Sequence, residues 1–320
     1  MRERFIGAML GLACGDALGA PAEFKTKTQA RREFGVLRDM VGGGIWEPGE
    51  WTDDTGMALC VAEGILAAPQ DPVSEIGTRF LEWQKTAKDV GNTIGAALDA
   101  FEGDWPEAAR STPQAKSGSA AGNGSLMRTL PVALAYSDSD TMLRQSARIS
   151  AMTHWDAQAE TCCAIYCRWV QKILGGEPLR ESWRNALAET KTTAANYAPT
   201  PETPGISAEN HPLWQRLEKA ESLTQDDLQP TGYAGYAVEC LEAAAWCVIY
   251  SDSLEQTLVR AVNLAGESDT IGAVAGGLAG AFYGVDSIPA RWLEKLYRRH
   301  EIEEIASPLV NLRLELETAA

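Results

Sequence analysis

Apolar residues recur at spacings of three and four from Phe5 to Tyr297, and nowhere does an alternating run of β-branched residues persist. A chain patterned in this way buries its apolar stripes by packing helix against helix. Phe5, Ile6, Met9, Leu10, Leu12 and Ala13 open the series, and Gly15, Gly19 and Pro21 stop it. The pattern returns over 57–67, 76–83, 96–101, 126–134, 140–151, 157–174, 236–250, 254–264, 271–283 and 289–297, with Asp71 and Asp252 as candidate caps. It predicts an all-α, single-domain helical bundle of about a dozen helices spanning 1–320. Gly276, Gly277 and Gly280 each cost about 1 kcal/mol of helix propensity relative to alanine, so close packing of other backbones is expected there. Residues 191–212, with four prolines from Pro199 to Pro212, read as a surface loop inserted in that domain.

Charge narrows the function. A net charge of -16 and a pI near 4.7 argue against a nucleic-acid or anionic-membrane binder, because phosphate-tracking surfaces are basic. An acidic protein can still hold a pyrophosphate if backbone N–H groups or metal ions supply the local positive field. Seven cysteines, an odd number with no CxxC pair, read as buried thiols of a reducing cytoplasm. Arg2-Glu3-Arg4 leads into a run that meets Asp16, which is not a signal-peptide pattern. The apolar 271–284 segment is too short and glycine-rich to span a bilayer. A soluble, cytoplasmic protein is expected.

Two stretches carry chemistry. Glu50-Trp51-Thr52-Asp53-Asp54-Thr55-Gly56 sets adjacent carboxylates between hydroxyls at a helix start, and 263–272 repeats the arrangement with Glu267, Asp269 and Thr270. Oxygen donors without imidazole or thiolate suit a hard cation better than zinc. Taken alone, Thr52 or Asp53 reads more simply as an N-cap, and the helix dipole should keep these carboxylates acidic. Two such clusters at remote helix starts are what a dinuclear oxygen-ligand site needs from a helical scaffold. Between them, Gly122-Asn123-Gly124 precedes a helical pattern and lets backbone N–H groups approach a phosphate, without a Walker lysine or a preceding strand. Asp89 is a candidate acid or base, or an exposed turn residue. His154 is a candidate ligand contact, or a structural histidine at a helix junction.

These pieces occur in the order found in the ADP-ribosylhydrolase family, which the chain resembles from Phe5 to Gly284 and whose type is the dinitrogenase reductase activating glycohydrolase. The motifs are Gly15-Asp16-Ala17-Leu18-Gly19 with Glu23-Phe24, Thr52-Asp53-Asp54-Thr55, Asp89-Val90-Gly91-Asn92-Thr93, Gly122-Asn123-Gly124-Ser125-Leu126-Met127-Arg128, Thr153-His154, Gly235-Tyr236 and Asp269-Thr270-Ile271-Gly272. The resemblance implies an all-helical fold with a dinuclear cleft for two divalent cations, Mg²⁺ or else Mn²⁺. Thr52, Asp53, Asp54, Asp269 and Thr270 would be ligands, and Glu267, where many members carry aspartate, would be a further one, shift the metal spacing or point away. Glu23 would be a movable ligand or gate, Asp89 would contact the reacting ribose, and Gly122, Asn123, Gly124 and His154 would hold the diphosphate and ribose. Tyr236 would contact the substrate, with Tyr233 as a competing register.

The implied activity is that of a glycosidase-type hydrolase. It would remove ADP-ribose from a modified protein, through the N-glycosidic link to arginine, by attack of a metal-positioned water at the anomeric carbon, with Asp89 or a metal carboxylate such as Asp54 as base. ADP-ribose would be the product ligand, and neither nucleic acid nor membrane a partner. The rivals are a different linkage such as serine, a non-catalytic ADP-ribose reader or toxin-immunity protein of the same fold, and an unrelated Mg²⁺-dependent phosphatase.

Overall fold

Gly15 and Gly272 face each other so closely that a Cβ on Gly15 would lie 2.0 Å from the Gly272 carbonyl oxygen. The same is true along two whole helices, Arg2–Gly19 and Ser268–Tyr283, which run antiparallel. A Cβ on Gly276 would stand 2.0 Å from Gly11 O, one on Gly280 1.9 Å from Gly7 O, and one on Gly19 2.4 Å from Asp269 N. Glycine every fourth residue on both partners clears one stripe of each helix, so the backbones touch where side chains would otherwise hold them apart. The packing expected from Gly276 and Gly280 is therefore present, and Gly277 packs instead against the Tyr166 hydroxyl and Leu130. This pairing brings the end of the first helix to the start of the Ser268–Tyr283 helix.

The computed structural model describes residues 1–194, 199–224, 227–228 and 235–319. Among these there are 17 α-helices and no sheet, only isolated bridges such as Glu23 with Gly266 and Gly122 with Tyr236. The count exceeds a dozen because the apolar runs miss the short helices Trp105–Ser111, Pro113–Ser117 and Pro212–Glu218 and the mostly polar Lys27–Phe34, and because they also miss two long helices, Leu179–Ala194 and Arg299–Ala319. All seven cysteines are buried and free. By length and hydropathy the Arg2–Ala22 segment could pass for a membrane span, yet 94% of its most apolar 18-residue window is buried inside the fold.

Several local expectations are corrected. Pro72, not Asp71, precedes the Val73–Gln84 helix, and Ser253, not Asp252, caps Leu254–Val262 by accepting from Gln256 N. Past Gly122-Asn123-Gly124 the chain turns up to Thr129, and the helix begins only at Leu130. The loop at 191–212 is not simply a surface loop. Its first residues finish the Leu179–Ala194 helix, and Thr203, Gly205, Ile206 and Ser207 are buried. Gly205 N donates to Glu160 Oε2 at 3.1 Å and Ser207 N to Thr161 Oγ1 at 2.8 Å, so the helix Ala157–Leu174 holds this segment down. Residues 195–198 of the loop, and Tyr233, lie outside the described residues.

Candidate active site

Thr52 is the N-cap of the Asp53–Ala67 helix, its hydroxyl oxygen accepting from Asp54 N at 3.4 Å. The turn is locked from behind by Asp16, which is wholly buried in the last turn of the first helix. Asp16 Oδ1 accepts from Thr52 N at 2.9 Å, and Oδ2 accepts from Thr55 N at 2.9 Å and from Thr55 Oγ1 at 2.6 Å. Asp54 thereby points at the second acidic turn, where the Thr270 hydroxyl donates to Asp54 Oδ2 at 3.4 Å. The two clusters meet.

Glu23 joins them from the other side. Its segment bridges Gly266, with Phe24 N donating to Gly266 O at 2.7 Å and Gly266 N to Lys25 O at 2.8 Å. Phe24 (φ 57°) and Ala265 (φ 62°) both hold left-handed backbone here, a costly conformation for residues with a Cβ.

The space in front is a cleft of about 500 Å³ lined by the acidic residues Glu23, Asp53, Asp54, Asp89 and Glu267, by Thr270, and by Gly122, Asn123, Gly124 and His154. Asn123 N donates to Gly235 O at 2.6 Å, which fixes the glycine turn. The His154 ring lies against that turn: its Nε2 would be 3.0 Å from a Cβ on Gly122. A polar cleft of this volume suits a ligand of cofactor size.

A family model for ADP-ribosylglycohydrolase matches residues 1–318. The chain belongs to the ADP-ribosylglycohydrolase family. It is 32% identical to the ADP-ribosyl-[dinitrogen reductase] glycohydrolase of Rhodospirillum rubrum over 95% of this chain and 93% of that one. It is 30% identical to the ADP-ribosylarginine hydrolase Tri1 of Pseudomonas putida (strain GB-1), over 96% of this chain and 78% of that one. A solved structure described as an ADP-ribosylglycohydrolase-related protein complex superposes with a TM-score of 0.76 at 34% identity, covering 98% of both chains.

Not every expected residue of this family member faces the cleft. Thr52 and Asp269 are buried at the edge of the wall beside Asp54: Thr52 Oγ1 donates to Asp54 Oδ2 at 3.2 Å, and Asp269 Oδ1 accepts from Thr270 N at 2.8 Å. Tyr236 is turned aside: its hydroxyl donates to Gln158 Oε1 at 2.5 Å, and its ring lines a smaller pocket of about 30 Å³ beyond Gly235 and Glu267. Glu267 Oε2 accepts from Asn123 Nδ2 at 3.1 Å, so the longer side chain reaches the glycine turn. Asp16 was visible in sequence as part of a motif, but its role as the strut behind Thr52 and Thr55 was not.

The electrostatics run against the helix-dipole expectation. Burial above all, and then the neighbouring carboxylates, push Asp53 up to about 7 and Glu23 to about 9. The same causes raise Asp54 and Asp269 well above the usual carboxylate range. The dipole supplies only a partial charge, whereas several like charges in a dry wall cannot all ionise. Asp54 Oδ1 is buried with no hydrogen-bond partner. An orphaned carboxylate oxygen amid oxygen-only donors fits a hard divalent cation. Among the described residues, no three Asp, Glu, His or Cys side chains already form a metal cage.

Proposed function

We propose that the chain hydrolyses the N-glycosidic bond joining ADP-ribose to arginine in a modified protein, with Mg²⁺, or else Mn²⁺, held by Thr52, Asp53, Asp54, Asp269 and Thr270. As a member of its family it is a glycosidase-type hydrolase of ADP-ribosyl groups. The observation that carries the finer reading is the meeting of Asp54 and Thr270 beside a glycine turn and His154 in one cleft. A hard divalent cation bound there supplies charge neutralisation and Lewis-acid polarisation.

The residues then divide the work. The glycine turn and His154 bind the diphosphate, which orients the reacting ribose toward the acidic wall. Asp89, half-buried on that wall and fixed by accepting from Val90 N at 2.9 Å, takes a proton from the attacking water. The C–N bond breaks with oxocarbenium character as the water oxygen bonds to the anomeric carbon. The electron pair leaves with the guanidine nitrogen. A cationic guanidinium departs as neutral guanidine, so the site needs no strong acid. The substrate is an ADP-ribosylated protein and the released ligand is ADP-ribose.

One observation favours a second reading. Glu267 bonds to Asn123, and a chain whose second cation position needed that carboxylate would be an ADP-ribose reader that binds without turnover. Incubating the protein with Mg²⁺ and either arginine- or serine-linked ADP-ribosyl protein separates these cases. Release from the arginine substrate is expected. Release from serine alone would reassign the linkage, and ADP-ribose binding with no release from either would establish the reader.

A further inference from the structure

Behind the cleft, Arg128 is a wholly buried cation whose hydrogen-bond partners among the described residues are neutral. Its guanidinium lies over the Phe80 ring at 4.8 Å, and Nη2 donates to Ile149 O at 3.0 Å and to Thr153 Oγ1 at 2.8 Å. A guanidinium has no acceptor to offer, so Thr153 Oγ1 accepts on that side and its own proton must point elsewhere. The acceptor within reach is His154 Nδ1, at 2.8 Å. If Nδ1 accepts, it carries no hydrogen, and in a neutral imidazole the ring proton then sits on Nε2. Nε2 is the nitrogen that lies against Gly122 on the cleft wall.

We propose that Arg128 and Thr153 are positioning residues that hold His154 as the Nε2–H tautomer, so that the cleft presents a fixed hydrogen-bond donor to a phosphate or ribose oxygen of its ligand. The proposal rests on the reading of this cleft as an ADP-ribose site. Charge supports it: burial first, and then the Arg128 cation, push the His154 pKa down to about 3, which keeps the ring neutral. Arg128 itself is pushed down only to about 10 by burial and stays charged. An anionic ligand thus meets a neutral donor backed by a buried cation, in a protein that is otherwise strongly acidic.

Long-range ¹⁵N–¹H spectra of the full chain labelled at its three histidines read the tautomer directly. In the ligand-free wild type, His154 should show a protonated Nε2 and a bare, hydrogen-bonded Nδ1. Thr153→Val keeps the side-chain shape and should shift Nδ1, populate both tautomers and weaken ADP-ribose binding about tenfold, the worth of one hydrogen bond. Thr153→Ser should restore all three. A protonated Nδ1 in wild type, or His154 signals unchanged in Thr153→Val, would overturn the assignment. An Nε2–H signal indifferent to saturating ADP-ribose would overturn the donor role. If the folded wild type binds no ADP-ribose at all, the functional reading fails too, while the tautomer is still decided by the ligand-free spectrum.

Discussion

Thr270 Oγ1 lies 3.4 Å from Asp54 Oδ2 although 216 positions separate the two residues. The contact exists because the helices Arg2–Gly19 and Ser268–Tyr283 are zipped by glycines, and because Asp16, on the first of them, holds the Thr52 turn. Fold and site are therefore tied by the same helix pair.

Filling the zipper should unfold the site before it touches any ligand. Gly15→Ala or Gly276→Ala puts a methyl 2.0 Å from a partner carbonyl oxygen, and overpacking of this kind costs about 1–3 kcal/mol or more. Gly95→Ala is the control: its Cβ would meet only Val90 Cγ1 at 3.6 Å, and a helix-interior alanine gains up to about 1 kcal/mol. Urea denaturation of the three variants should show the first two destabilised and the third unchanged or stabilised.

Asp54→Asn should lower turnover on the order of 10²-fold or more, since it removes charge where the transition state needs stabilisation. The same change relieves repulsion among Asp16, Asp53, Glu23 and Asp269, so far-UV helicity and the Tm without added metal should hold or rise. The combination of unchanged circular dichroism and lost release identifies a functional carboxylate. A fall in Tm parallel to the fall in activity would mark a structural one.

Glu160 predicts a pH dependence away from the acidic cleft wall. Burial pushes its carboxyl from 4.5 up to about 8, the Gly205 N–H opposing, and Oε1 has no hydrogen-bond partner. Between these values the folded chain holds a proton that the unfolded chain has lost. The stabilisation is thus complete below about 4.5 and is lost as pH rises through about 8. Glu160→Gln should flatten the decline of Tm across that window, and the wild-type minus variant difference cancels the similar trend of the cleft acids. A difference that does not vary with pH would refute it.

Mg²⁺ and ADP-ribose should each raise the Tm, and chelation should reverse the metal's part. At a hundred times Kd, a ligand binding only the folded state adds about 2.7 kcal/mol. Asp53→Asn and Asp269→Asn should lose the metal increment. Thr153→Val should keep it and shift the ADP-ribose increment alone.

Much of this was legible in the chain. Helices with a clean apolar period were readable, and the cleft residues Asp53, Asp54, Asp89, Asn123 and His154 announce themselves because each sits in a short motif of unusual chemistry. Gly276 and Gly280 foretold a close approach but not its partner, since Gly11 and Gly7 lie more than 250 positions away in an ordinary-looking helix. What stayed hidden is tertiary. The raised carboxylates depend on several acids sharing one dry wall, which no single helix end reveals. The burial of Gly205 and Ser207 depends on Glu160 and Thr161, and the turn of Glu267 toward Asn123 on one methylene beyond an aspartate.

Release of ADP-ribose from an arginine-modified protein, followed by mass spectrometry with Mg²⁺ present and for wild type beside Asp54→Asn, bears most directly on the claim that the two acidic turns and the glycine turn form one hydrolytic site. The expected result is intact ADP-ribose and unmodified arginine from wild type, and release lower on the order of 10²-fold or more from the variant. Equal release by both proteins, or none from a folded wild type saturated with metal, would contradict it.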